Sequence, residues 1–243
     1  MLISNQENFV LFLKCDIVLH MGKVLNIFID LLKWPLAAYM LFSIPAFLMS
    51  ANWFNFFTIK YIVFFGGVIF FAFTLTVSDK SIRTSMQTLA HEFTHTFFAL
   101  VTFHKIDHIR LNPDETGGSM GFQGKGNWLI TISPYFFPLF AFIFMIVFSF
   151  FIDNEKIGLF LNVILGYLLA YHLDTVTSQI HEKQTDLPAV GYHFCWMFLP
   201  GANLCMIGSI LAFNSKGWHG LFRYNQEIYN QNITNLSFLL NLF

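Results

Sequence analysis

His91, Glu92 and His95 stand in the middle of an apolar, helix-length run, Met86 to Phe103, MQTLAHEFTHTFFALVTF. At 3.6 residues per helical turn, positions i and i+4 fall on nearly one line, so both imidazoles can reach the same metal ion. Glu92 is turned by about 100° from His91. From there its carboxylate can approach a metal-activated water without being a ligand, which is where a general base belongs. Three ionisable side chains in a run of Leu, Ala, Phe, Thr and Val are costly in lipid, at roughly 2.5–3.5 kcal/mol per charge. A metal ion would supply the partner they need. The plain alternative is that the histidines hydrogen-bond to neighbouring helices and Glu92 pairs with a base.

A catalytic zinc takes three protein ligands and keeps one position open. The motif gives two, so the third must come from elsewhere. The best source is the run from Ile180 to Gly191, IHEKQTDLPAVG, where Asp186 opens an apolar helix and Gln184 or Thr185 can orient it. Asp186 also fits a helix N-cap, with Pro188 just inside the first turn. Glu182 competes, because Glu182 and Asp186 are four apart and would share a face of a continuous helix. His172 and His181 are further candidates, read as hydrogen-bonding residues of a cleft or interface. His20, His104, His108, His193 and His219 have no spacing that points to a ligand, and read as structural or solvated.

The elements that must hold these residues are those of a polytopic membrane protein. Hydrophobic residues make up 56% of the 243, charged residues only 11%, and phenylalanine alone numbers 33. That composition excludes an ordinary soluble domain. A net charge of −1 gives no electrostatic case for nucleic acid. Cys15, Cys195 and Cys205 are odd in number and lack C-x-x-C spacing, so neither a disulfide framework nor a thiolate zinc site is indicated. Glu7, Lys14 and Asp16 interrupt the N-terminus, which does not read as a cleaved signal peptide.

In chain order, Asp16, His20, Lys23, Asn26, Asp30 and Lys33 fall three or four apart and form one polar stripe. Residues 1–34 therefore read as an amphipathic interfacial helix, with packing on the bundle as the alternative. Six spans are expected: Pro35 to Met49, Tyr61 to Val77, the motif helix, a span from about Pro138, Ile157 to Leu173, and Ala189 to Phe213. Before the fourth, Ser133-Pro-Tyr-Phe-Phe-Pro138 implies a broken or re-entrant piece beside a cleft. Pro200-Gly201 should kink the last span. His104 to Asn127 is polar and glycine-rich, and reads as a hairpin or a loop. Residues 214–243 read as a polar tail. The fold class is thus all-α, with about six transmembrane helices, a membrane domain over 35–213 and its core at about 80–195.

An H-E-x-x-H within a spanning helix, a Gly-rich loop after it and a distant Asp heading a later span resemble the site-2 protease family of intramembrane metallopeptidases. The likeness is nearest to its bacterial sporulation-factor-protease-like branch. It covers roughly residues 80–195. The resemblance implies a multi-pass integral membrane zinc protease that cuts membrane-protein substrates in or near a transmembrane segment. His91, His95 and Asp186 would be zinc ligands, and Glu92 the catalytic base. Two features depart from the family's pattern: Thr94 replaces a common Gly before the second His, and Leu187-Pro188 follows Asp186 where Gly is frequent. A prenyl-protein-type membrane protease with Glu182 as ligand, and a non-catalytic scaffold that binds client helices, are the other readings of the same residues.

Overall fold

The computed structural model describes residues 2–111, 118–151, 154–181 and 184–241, with side chains from His20 onward and only the backbone at Leu111. The helices in chain order begin with α1 (Leu2–Phe42), α2 (Ile44–Met49), α3 (Ile59–Val77) and α4 (Lys80–Val101). After α4 come two strands, β1 (Ile106–Leu111) and β2 (Gly118–Phe122), then α5 (Trp128–Ile132) and α6 (Leu139–Ser149). The chain continues through α7 (Glu155–Gln179) and α8 (Asp186–Val190) to α9 (Tyr192–Leu240). The core is built where these helices cross, and much of the outside is apolar. On α1 alone Ile27, Phe28 and Leu31 are more than 60% exposed, as lipid-facing positions should be.

Four helices are long and apolar enough to cross a membrane: His20–Phe42, Ile59–Val77, Glu155–Gln179 and Tyr192–Leu240. A fifth arises if α5 and α6, bent by 80° across a short break, count as one span. This is an all-α membrane architecture with four or five candidate spans among the described residues, not the six expected. The motif helix α4 is not among them. It carries Lys80, Arg83, Gln87, His91 and Glu92 within its first 13 residues, and the polar residues Lys80 to Ser85 belong to the same helix. Asp79 caps it, accepting the backbone N–H of Ser81 at 2.7 Å.

The N-terminal region also differs. α1 runs through Pro35 without ending at Trp34, and the candidate span begins at His20. Asn26 and Lys33 of the polar stripe face the bundle: Asn26 donates to the Lys125 carbonyl at 2.6 Å and Lys33 to the Val190 carbonyl at 2.8 Å. His20, Lys23 and Asp30 remain exposed. At the far end, residues beyond 214 are helical. Helical geometry fails at Lys216 and Gly217 (φ 60°), in the left-handed region where glycine is at ease, and not at Pro200. The chain then folds back, placing Tyr224 against Gly208, where a Cβ would overlap the tyrosine ring. Asn232 reaches Ser43 at 2.8 Å.

α3 and α7 are held tightly together. A Cβ at Gly67 would overlap the Val163 backbone, and one at Gly166 would overlap that of Phe64. Small residues that let backbones approach are the usual means of packing helices in lipid. β1 and β2 form an antiparallel pair with Ile109 opposite Met120. The Asn112 to Gly117 part of the expected glycine-rich segment lies outside the described residues.

Candidate metal centre

The centre is assembled from three parts of the chain. α4 brings His91 and His95 onto one line, as the i, i+4 spacing requires. The break between α5 and α6 passes beside them, and α8 delivers Asp186. The Nε2 atoms of His91 and His95 are 3.0 Å apart. Asp186 Oδ2 stands 3.2 Å from the first and 3.3 Å from the second.

These distances suit a bound metal. Two ligand atoms each about 2.0–2.1 Å from a tetrahedral zinc stand roughly 3.3 Å apart, and all three pairs here lie close to that edge. The proton positions agree. His95 Nδ1 is 2.7 Å from the Ile130 carbonyl; a carbonyl only accepts, so Nδ1 donates and Nε2 carries the lone pair. An imidazole lone pair, a second imidazole and a carboxylate oxygen thus converge, a donor set that fits a cation. The Ile130 carbonyl is also the kind of outer partner that fixes a metal-binding histidine's ring.

Asp186 is fixed by Tyr135, whose hydroxyl donates to Oδ2 at 3.1 Å. Tyr135 is fully buried, and its ring meets that of His91 edge-on at 5.3 Å. Asp186 lies outside the four apolar spans. Burial opposes its charge, but the imidazoles of His91 and His95 beside it outweigh that and hold its carboxyl below the usual carboxylate range. Gln184 and Thr185, expected to orient it, line the cleft together with it. Asp186 is the first residue of α8, with Thr185 in the capping position and no side-chain cap bond. Gly191 (φ 104°) separates α8 from α9, so the last span starts at Tyr192 and not near Ala189.

The residues open on a cleft of about 820 Å³. Glu92, His181 and Gln184 line it, together with Gly118, Ser119 and Met120 of β2. Glu92 is buried at 6% exposure, beside the two histidines. β2 reaches it because Gly118 has no side chain: a Cβ there would stand 2.8 Å from both Glu92 Cγ and the Thr88 methyl. Glu182, the competing ligand, lies outside the described residues.

α4 is locked to α7 through its polar first turns. Arg83 forms an ion pair with Asp174, and Gln87 donates to Asp174 Oδ2 at 2.6 Å and to Ser178 Oγ at 3.1 Å. His172 is buried on α7 outside the three-residue cluster. His104 is buried in a tether with Thr102, Asn26 and the Lys125 carbonyl. Sequence reasoning missed Tyr135 and the Ile130 carbonyl as partners of the centre. The signal for them was the proline-bracketed break at Ser133 to Pro138, which marked the segment without marking the residue.

No curated protein and no solved structure matches the chain. A family model described as Peptidase M50B-like matches residues 67–180, a little under half of the chain. The match takes in α4 with its motif and all of α7, and it stops six residues short of Asp186. It supports the resemblance to the site-2 protease family, and with the apolar helices it points to a membrane metalloprotease.

Proposed function

We propose that this chain is an intramembrane zinc endopeptidase, of the sporulation-factor-protease-like branch of the site-2 family. It hydrolyses peptide bonds in or near transmembrane segments of membrane-protein substrates. His91, His95 and Asp186 hold the zinc, and Glu92 is the general base. One observation carries the reading: three ligand atoms from α4 and α8 converge at 3.0–3.3 Å on the wall of a polar cleft, with Glu92 beside them.

Zinc bound at these residues would activate water for attack and polarise the scissile carbonyl. Glu92 takes a proton from the attacking water onto its carboxylate and passes it to the leaving amine. Its burial beside β2 keeps bulk solvent from competing for that proton. His95, held by the Ile130 carbonyl, and Asp186, held by the Tyr135 hydroxyl, keep the ligand set rigid. β2 pairs with β1 along one edge, and no third strand joins it among the described residues. An extended substrate strand has that second edge to pair with, next to Glu92.

Metal analysis of the detergent-purified chain is the first test, with one zinc per chain expected; zero would remove the reading. Glu92→Gln should keep the metal and abolish cleavage of a fluorogenic transmembrane peptide. Normal turnover by that variant would refute the role of Glu92.

A further inference from the structure

Behind α4, away from the cleft, lies a second and much smaller cavity of about 20 Å³. Its wall includes His91 and Thr94 of α4, Pro134 of the break, and Leu168, His172 and Thr175 of α7. His91, Thr94, His172 and Thr175 are all more than nine-tenths buried. Two buried polar atoms of these lining residues, His91 Nδ1 and His172 Nε2, have no hydrogen-bond partner among the described residues.

The polarities of these groups are complementary. A metal held by His95 and Asp186 would take the His91 Nε2 lone pair, which places the His91 ring proton on Nδ1, a buried donor. His172 Nε2 is buried without a partner among the described residues, and with the ring proton on Nδ1 it offers a lone pair. Thr94 Oγ1 donates to the Ala90 carbonyl at 2.7 Å and Thr175 Oγ1 to the Tyr171 carbonyl at 2.9 Å. Each hydroxyl proton is committed, so each oxygen offers the cavity an acceptor. The residues lining the cavity thus offer one donor and three acceptors, and its volume suits a single water, which needs about 10–15 Å³ and two to four polar partners.

We propose that one buried water occupies this cavity, accepting from His91 Nδ1–H and donating to His172 Nε2 and a threonine Oγ1. His172 is then a positioning residue for the ligand His91, acting through that water. The inference rests on the metal-centre reading above. A metal-ligating histidine normally donates its second ring N–H to a carboxylate, a carbonyl or a water. His95 has the Ile130 carbonyl, whereas His91 has no protein acceptor among the described residues. The water completes the pair and ties the position of α7 to the orientation of the ligand.

The test is zinc competition against a chromophoric chelator, using the full chain in detergent, with the melting temperature of the metal-free protein measured alongside. His172→Leu should weaken zinc binding by about 10- to 100-fold, the usual cost of losing an outer partner. It should leave the metal-free melting temperature at or above that of the wild type. His172→Gln, whose side-chain carbonyl can accept from the same water, should recover most of the affinity. Thr94→Val, which keeps volume and removes one acceptor, should shift affinity in the same direction by less, and it decides the matter if the leucine variant does not fold. Unchanged affinity in the leucine variant, or an equal loss in the leucine and glutamine variants, would overturn the inference while leaving the metal centre standing. A wild-type chain that binds no zinc would overturn both.

Discussion

Tyr135→Phe removes one hydroxyl from the metal centre and little else. Phenylalanine keeps the edge-on contact with His91, and Asn203 bonds to the Tyr135 backbone carbonyl, which the substitution does not touch. What is lost is the hydrogen bond to Asp186 Oδ2. Hydrogen bonds to charged groups contribute about 1.5–3 kcal/mol, which at 1.4 kcal/mol per decade is about 10- to 100-fold in affinity. The distance of 3.1 Å is longer than the 2.5–2.7 Å of a strong O–H···O⁻ bond, so the lower end applies. Zinc affinity should fall by about tenfold. Chelator competition on the purified chain measures it, and the metal-free melting temperature reports whether the fold is intact. Tyr135→Ala would not serve, because an emptied aromatic site in a core costs about 3–5 kcal/mol by itself. A phenylalanine variant that binds zinc as tightly as the wild type would show that Asp186 is not held by Tyr135, or is not a ligand.

Asp186→Ala should empty the metal site while Glu182→Ala leaves zinc content unchanged; the reverse pattern, read by metal analysis, would transfer the third ligand to Glu182. Gly118→Val should lower turnover at unchanged zinc content, because its side chain would press on Glu92 Cγ and the Thr88 methyl; full activity would mean that β2 does not set the position of Glu92. Arg83→Ala and Asp174→Ala should each destabilise the chain, the second less than a fully buried ion would, since the arginine end is 37% exposed. The double variant should recover about 0.5–3 kcal/mol of the summed loss. Simple additivity in denaturation experiments would mean that the pair does not couple α4 to α7.

The motif was legible because its geometry is local: once residues 91–95 are helical, the two histidines must share a face. Asp186 could be chosen from a cluster in the sequence, and the structure brings it to both histidines. Its setting was not legible, because nothing local forecasts that Gly191 would separate α8 from α9. Tyr135 was out of reach for a different reason. A tyrosine between two prolines reads as part of a broken segment, and only the tertiary fold turns its hydroxyl towards a residue 51 positions later. Pro35 and Asn214 misled in the same way. Proline and polarity commonly end helices, yet α1 continues through Pro35 to the buried Ala37, and the segment after Asn214 packs one face, Tyr224 and Ile228, on α2 and the first part of α9.

The count of spans failed at α4 for a reason that bears on function. Hydropathy treats each side chain alone, and by that measure a helix carrying Arg83, Gln87, His91, Glu92 and His95 does not belong in lipid. Most of these groups have a named partner on another element: Asp174 and Ser178 on α7 for Arg83 and Gln87, Ile130 on α5 for His95, and Asp186 on α8 for both histidines. α4 is therefore placed by its neighbours and not by its own apolarity. Two of its partners, α7 and α8, also frame the cleft or the cavity behind it. The polar residues that make α4 a poor span include the ones that assemble the centre.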